Sequence, residues 1–290
     1  MKIIKRLYAS YIKWRDRHFC DYCLCSIGDI ILQRDVPSNN QLLLTSRLMD
    51  VESFFKGGDS TFINQNKISY KAYGSSHKEE RGNKHFMDLI SSYQTDGYRG
   101  DSYITCDNTF SLMDGNHRMG IHLYKGIDTV NVKMVHRRVQ FEYGADWYYK
   151  VGLESEFMDR LYQRYSGVQK WLIETGNTFC AIIHTKSPNS VLKDMSPVSD
   201  LQKLTTPLHF FTLKDADVTV FQFSLLAPRY KVEKGQLISL RAEEVYDIMN
   251  KRYGDSIRIE VSKSCYEGKK LWDYYHSILK KEKNGSTKTV

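Results

Sequence analysis

Five residues, Asp114-Gly115-Asn116-His117-Arg118, constrain what the middle of this chain can fold into. They stand where one hydrophobic period gives way to another. Upstream, Tyr103-Ile104-Thr105-Cys106 and Phe110-Ser111-Leu112-Met113 flank Asp107-Asn108, the pattern of a hairpin over Ser102–Met113 with a tight turn. Downstream, Met119 and Leu123 recur at i, i+4 and Gly126 stops the run, the pattern of a short helix to about Lys125. A strand that feeds a helix through a glycine leaves the first helical N–H groups pointing outward, where they and the helix dipole favour an anion. Gly115 lets a phosphate approach the backbone. Arg118 adds a planar donor fork and His117 a ring nitrogen. Asp114 repels phosphate, so its place here suits a metal ion or a substrate hydroxyl beside the phosphate. A structural reading stands next to this one: Asp is a favoured helix N-cap, and His117 and Arg118 fit a solvated first turn.

The flanks give the junction a setting. Phe86, Leu89, Ile90 and Tyr93 recur at i, i+3, i+4 and i+7, which predicts a half-buried helix over Asn83–Tyr93 ended by Asp96-Gly97. Val130, Val132 and Met134 alternate with Thr129, Asn131 and Lys133, a strand with one buried face. Residues 77–136 thus read helix, hairpin, helix, strand, a compact α/β unit. Residues 56–76, rich in Gly, Ser, Asn and Lys, read as a loop or weak strands. From Lys2 to about Arg17 the pattern is a basic amphipathic helix. Ile4, Leu7, Tyr8, Tyr11 and Trp14 share one face, and Lys2, Lys5, Arg6, Lys13, Arg15 and Arg17 crowd the remainder. Such a helix suits an acidic membrane surface, but packing against the rest of the protein is the expectation. His122, Arg137 and Arg138 read as surface residues, and the aromatic group Trp147, Tyr148, Tyr149, Tyr274 and Tyr275 as core.

Beyond Gln140 the texture changes. Phe157, Leu161, Tyr165, Val168 and Leu172 mark a helix ending near Gly176, and Phe179–Ile183 a short apolar strand. Residues 185–209 hold three of the five prolines and read as a long surface connection. Val218–Leu226 reads as a strand, and Val245, Ile248 and Met249 as a helix stopped at Gly254. Ile257, Ile259 and Val261 alternate as a strand, and Leu271–Leu279 is a last helix before the polar tail Lys280–Val290. No chemical motif appears in this half.

Composition bounds the function. The chain has 290 residues, 41% hydrophobic and 26% charged, which fits one large or two modest globular domains and argues against wholesale disorder. A net charge of +8 suits an anionic partner, whether nucleotide, nucleic acid or acidic membrane face. No apolar run reaches the length of a membrane span, and the first residues lack the pattern of a signal peptide. Cys20-x-x-Cys23-x-Cys25 resembles half of a zinc site that no second Cys/His pair completes. The six cysteines are therefore expected as ordinary thiols in a reducing cytoplasm.

Leu112-Met113-Asp114-Gly115-Asn116-His117-Arg118, with the helix to Gly126 and the strand to Val135, resembles the ParB/sulfiredoxin-like superfamily over residues 77–136. Sulfiredoxins carry Gly-Cys-His-Arg, and Asn116 stands where their cysteine nucleophile would be, so that chemistry is not expected. ParB-type partition proteins carry Gly-Glu-Arg-Arg, bind CTP and continue into a helix-turn-helix, which is not visible here. The free serine kinases carry Asp-Gly-His-His-Arg, from which this motif departs at one residue. Their upstream glutamate matches Glu79 in His77-Lys78-Glu79-Glu80-Arg81, with Glu80 one residue away.

The resemblance implies an α+β (α/β) chain in three parts: an N-terminal helical extension over 1–55, a ParB/sulfiredoxin-like nucleotide-binding catalytic domain over 56–140 and a C-terminal α+β region over 141–290. It implies a kinase using ATP or ADP and Mg²⁺ to phosphorylate the hydroxyl of a serine-like amino acid, a sugar or an alditol. Glu79 would be the catalytic base and Asp114 its partner and Mg²⁺ ligand. Gly115, Asn116, His117 and Arg118 would hold the nucleotide phosphates, and Ser92, Tyr98, Arg99 and Asp101 would lie on the loop facing them. The competing expectation is a non-catalytic nucleotide-binding switch of ParB type acting with DNA or a protein partner. Nucleic acid is not favoured, because Asp114 is acidic and no DNA-reading motif follows.

Overall fold

The computed structural model describes residues 2–32, 37–58, 62–64, 66–68, 79–97, 102–138, 143–144, 146–185, 209–213, 216–225, 228–254 and 256–285. It is a mixed α+β structure in two compact units. The first comprises residues 1–24, 36–165 and 234–236, and the second residues 25–35, 166–233 and 237–290.

In the first unit, helix α1 (Lys2–His18) leads into strand β1 (Cys20–Ser26), most of which belongs to this unit. Tyr22 and Leu24 are exposed on β1 while Cys23 is buried between them, the alternation of a half-buried strand. Helix α3 (Asn39–Phe55) begins with a capping box: Gln41 N–H donates to Ser38 Oγ, and Ser38 N–H donates to Gln41 Oε1 at 2.9 Å. Helix α4 (Glu79–Thr95) follows, then β2 (Ile104–Cys106), β3 (Leu112–Asp114), helix α5 (Asn116–Lys125) and β4 (Thr129–Val135). The helix, hairpin, helix and strand expected over residues 77–136 are therefore present. The strands lie in the order β3-β2-β4-β1. β2 pairs antiparallel with β3 and parallel with β4, with Thr105 opposite Asp114 and Lys133.

The turn of the hairpin is built on Asp107. Its buried Oδ1 accepts from Thr109 N–H, Thr109 Oγ1 and Ser111 N–H at 2.8–2.9 Å, which folds the backbone over the side chain. Helices α3, α4 and α5 pack on each other through Val51, Phe62, Phe86, Ile90, Tyr93 and Ile121. Their approach is close. A Cβ on Gly120 would lie 2.9 Å from Arg47 Cβ and 3.0 Å from the Leu48 nitrogen, so only glycine fits where α5 meets α3. Helices α6 (Asp146–Lys150) and α7 (Ser155–Glu174) follow, and α7 enters the second unit after Tyr165.

The second unit holds α2 (Ile27–Ile31), β5 (Phe179–His184), β6 (His209–Leu213), β7 (Val218–Phe223), β8 (Tyr230–Glu233), β9 (Gln236–Ser239), α8 (Leu240–Tyr253), β10 (Arg258–Val261) and α9 (Cys265–Gly285). β10-β5-β7-β6 is an antiparallel sheet. α9 packs Leu271, Trp272, Tyr275 and Ile278 against Cys180, Ile182, Leu213, Val218 and Val220. α9 is longer than Leu271–Leu279 at both ends. Ser264 Oγ accepts from Glu267 N–H at the start, and the lysines and Glu282 after Leu279 sustain a helix as readily as a polar tail.

One buried carboxylate organises this unit. Asp29 Oδ1 accepts from Tyr230 Oη at 2.8 Å and Cys265 N–H at 2.7 Å. Its Oδ2 accepts from Ser26 N–H at 3.1 Å and Tyr266 N–H at 3.2 Å. Burial pushes the carboxyl pKa up from its ordinary value, and the donors from Cys265, Tyr230 and Ser26 oppose that push.

Three expectations about individual residues change. His122 is fully buried, because it sits on the face of α5 that packs against α4. Tyr149 and Tyr274 are exposed, and of the expected aromatic core residues Tyr148 is the fully buried one. The apolar face of α1 is exposed rather than packed, with Ile4 at 72% and Leu7 at 66%.

Candidate functional site

The junction between β3 and α5 is entered through a residue that must be glycine. Gly115 has φ +105°, and a Cβ there would lie 2.6 Å from Ile104 Cδ1 on the neighbouring strand. Gly115 occupies the N-cap position, and no side chain caps the helix. The structural reading of Asp114 as an N-cap therefore does not describe this helix. Asp114 instead precedes the cap. One of its oxygens accepts from Gly115 N–H at 2.8 Å, and the other lies 3.5 Å from Arg118 Nη2. Its side chain is 78% exposed, so the carboxylate stands open next to the outward-pointing N–H groups of the first turn.

Arg118 is committed to holding the site. Nη1 donates to Ser102 Oγ at 2.9 Å and to the Tyr103 carbonyl at 2.5 Å, which ties the first turn of α5 to the segment entering β2. Its charge still reinforces the helix N-terminus. Asn116 opens the helix, and its Oδ1 is buried with no hydrogen-bond partner among the described residues. A buried acceptor without a donor is costly, and a donor supplied by a ligand would relieve it.

His117 turns inward. Its ring packs on Phe86 at 4.5 Å between centroids and lies 6.4 Å from His85. Burial first, then the nearby Arg47, His85 and Arg118, push its pKa down to about 3. The ring is neutral at neutral pH and adds no charge to the site. Five residues further along α5, His122 Nε2 meets Tyr93 Oη at 2.9 Å, and burial followed by Arg118 lowers its pKa to about 4.

These two contacts orient α4. Phe86 meets His117 and Tyr93 meets His122, so α4 and α5 run in the same direction and begin at the same end. Glu79 is the first residue of α4, roughly 10 Å along the axis from Phe86 at 1.5 Å per residue. Its side chain, and that of Glu80, lie outside the described residues, as do His77, Lys78, Tyr98, Arg99 and Asp101. Ser92 bonds back to the Leu89 carbonyl of its own helix at 2.8 Å.

Arg47 and Ser102 belong to the site but carry no motif in the sequence. Arg47 is buried, its backbone lies under Gly120, and its charge acts on His117. An arginine directly before Leu48, on a helix that buries Leu44, Leu48 and Val51, was the available signal. Ser102 carried no signal, because its role exists only once Arg118 reaches it.

Among the described residues no cluster of three or more His, Cys, Asp or Glu could hold a metal ion. Mg²⁺ differs from Zn²⁺ in that one or two carboxylates with water and phosphate oxygens suffice. The exposed Asp114 carboxylate fits that smaller demand. No protein-family model matches the chain, and no curated protein or solved structure does either.

Proposed function

We propose that the first unit is a ParB/sulfiredoxin-like catalytic domain and that the protein is a nucleotide-dependent kinase acting on the hydroxyl of a small molecule. The observation that carries the reading is the uncapped N-terminus of α5, entered through Gly115, with an exposed carboxylate directly before it. The N–H groups of Asn116 and His117 hold nucleotide phosphates, and Gly115, whose own N–H serves Asp114, leaves room for them to approach. Asn116 Oδ1 accepts from a nucleotide or acceptor hydroxyl. Arg118 and Gly115 keep the turn in shape. His117, held neutral, packs the turn onto α4.

Asp114 positions the acceptor hydroxyl or a Mg²⁺ ion, which when bound neutralises phosphate charge. Glu79, at the end of α4 that faces the same way, takes the proton of the hydroxyl as its oxygen bonds to the terminal phosphorus and the bond to the leaving nucleotide breaks. Serine, related amino acids, sugars and alditols are the acceptors this reading favours.

The test is turnover. Purified protein is mixed with Mg²⁺, ATP or ADP, and a panel of such hydroxyl compounds. Acceptor-dependent nucleotide consumption is expected, with Glu79→Gln and Asp114→Asn each losing about 10²-fold or more. Nucleotide binding without turnover on any acceptor, joined by salt-sensitive DNA retention, would replace the kinase with a switch. Full activity in Glu79→Gln together with loss in Glu80→Gln would move the base by one residue.

A further inference from the structure

Helix α1 carries an apolar face that no described residue covers. Ile4, Leu7, Tyr8, Tyr11 and Trp14 keep 72, 66, 59, 53 and 50% of their exposure. The face does not end with the helix. Trp14 packs against Tyr11 and Phe19 at centroid distances of 6.2 and 5.8 Å, and Phe19 is itself 54% exposed. Single exposed hydrophobic residues are ordinary, but a contiguous row of this kind marks a surface with a partner. The helix is also anchored: Arg137 Nε donates to Asp16 Oδ2 at 2.8 Å, which fastens its last turns to the segment after β4.

Charge identifies the partner. α1 holds six Lys and Arg against one Asp, a net +5 of the chain's +8, with no acidic residue in its first turn. By helical spacing the cationic positions Lys5, Lys13 and Arg17 fall away from the row Ile4, Leu7, Tyr11 and Trp14. A strongly cationic face opposite an apolar one with Trp, Tyr and Leu is the pattern of a helix lying in the plane of a lipid interface. No helix among the described residues is long and apolar enough to cross a membrane. Self-association through this face would bring +5 against +5.

We propose that α1 docks the protein on an anionic lipid surface, with Ile4, Leu7, Tyr11 and Trp14 at the boundary between headgroups and acyl chains and the basic positions at the headgroups. The docking proposal stands on α1 alone and survives if the kinase reading fails.

Flotation of the full chain with phosphatidylcholine vesicles, with and without phosphatidylserine, tests it. The protein is expected to float with the phosphatidylserine vesicles at low salt, to be released as salt rises, and to stay behind with pure phosphatidylcholine. Leu7→Ser with Trp14→Ser should weaken partitioning roughly ten-fold or more, and Trp14→Phe should not. Both positions are exposed, so circular dichroism of the double variant should match the parent. Equal binding to neutral and acidic vesicles, no binding at low salt, or a double variant that binds like the parent would overturn the proposal. So would a dimer in light scattering that the double variant dissolves, because a second copy would then be the occupant.

Discussion

Acid should destabilise this protein steeply, and two rings on one helix should account for much of it. His117 and His122 have an ordinary pKa of 6.5 when unfolded and about 3 and about 4 in the folded chain. Between those values the unfolded chain binds two protons that the folded chain refuses. Stability from these groups is therefore complete above the unfolded value and falls as pH drops toward the folded values. Integrating the linkage from pH 7 to pH 5 gives about 2 kcal/mol for each ring and about 4 kcal/mol for the pair. Against a total stability of about 5–15 kcal/mol, that is a large share. Urea unfolding followed by circular dichroism at pH 7, 6 and 5 measures it. His122→Gln should remove about half of this pH dependence, and His122→Gln with His117→Asn nearly all of it, whatever each substitution costs at pH 7. The groups facing His117 are Arg47 from α3, His85 from α4 and Arg118 from its own helix, so none of them supplies a compensating negative charge. A double variant that loses stability between pH 7 and 5 as steeply as the parent would refute the assignment.

Two further substitutions probe the packing. Gly120→Ala would ordinarily gain about 1 kcal/mol of helix propensity. Here its Cβ would stand 2.9–3.0 Å from Arg47 and Leu48, and overpacking should instead lower stability by about 1–3 kcal/mol in thermal or urea unfolding. Asp29→Ala strands the Tyr230 hydroxyl, the buried N–H groups of Ser26 and Cys265 and the half-buried N–H of Tyr266, and should cost about 3–5 kcal/mol. Asp29→Asn keeps one accepting oxygen and should fall between parent and Ala, so equal stability of all three would show that the carboxylate organises nothing.

The order of elements from residue 79 to residue 135 was legible because each carries its own period and its own stop. Phe86, Ile90 and Tyr93 mark the buried face of α4, and Gly126 ends α5 in a left-handed conformation. β1 was not legible, since its buried members are small thiols among polar neighbours and its pairing is with distant segments. Asp29 was equally silent. A single carboxylate five residues into an apolar stretch looks like a turn until residues 230 and 265, two hundred positions away, supply its donors. His122 misled for a related reason. A polar residue on a short helix is read as surface, but its ring occupies the buried stripe and is kept there by Tyr93. Periodicity reports what one element does alone, and these residues are defined by partners on others.

The site divides along the same line. Residues whose polar groups are consumed inside the protein shape it: Arg118 on Ser102 and Tyr103, His117 against Phe86, and Gly115 against Ile104. Residues with capacity left over are the ones the proposed function turns toward a ligand. These are Asp114, with its carboxylate exposed, and Asn116, with a buried acceptor and no donor among the described residues. The motif is therefore not a string of phosphate-binding side chains. Arginine was its most phosphate-like letter, yet its fork already holds protein oxygens, so its contribution to an anion is the field of a fixed charge rather than a bidentate grip. Under the proposed function, anion binding would then fall to the backbone of the α5 N-terminus, which any phosphate satisfies. Discrimination would fall to Asp114 and Asn116, an acceptor pair that rewards a hydroxyl or amine donor and penalises a bare phosphate. A site of that composition would select its ligand by what accompanies the phosphate, and that is the physical reason to look for an acceptor alcohol at Asp114.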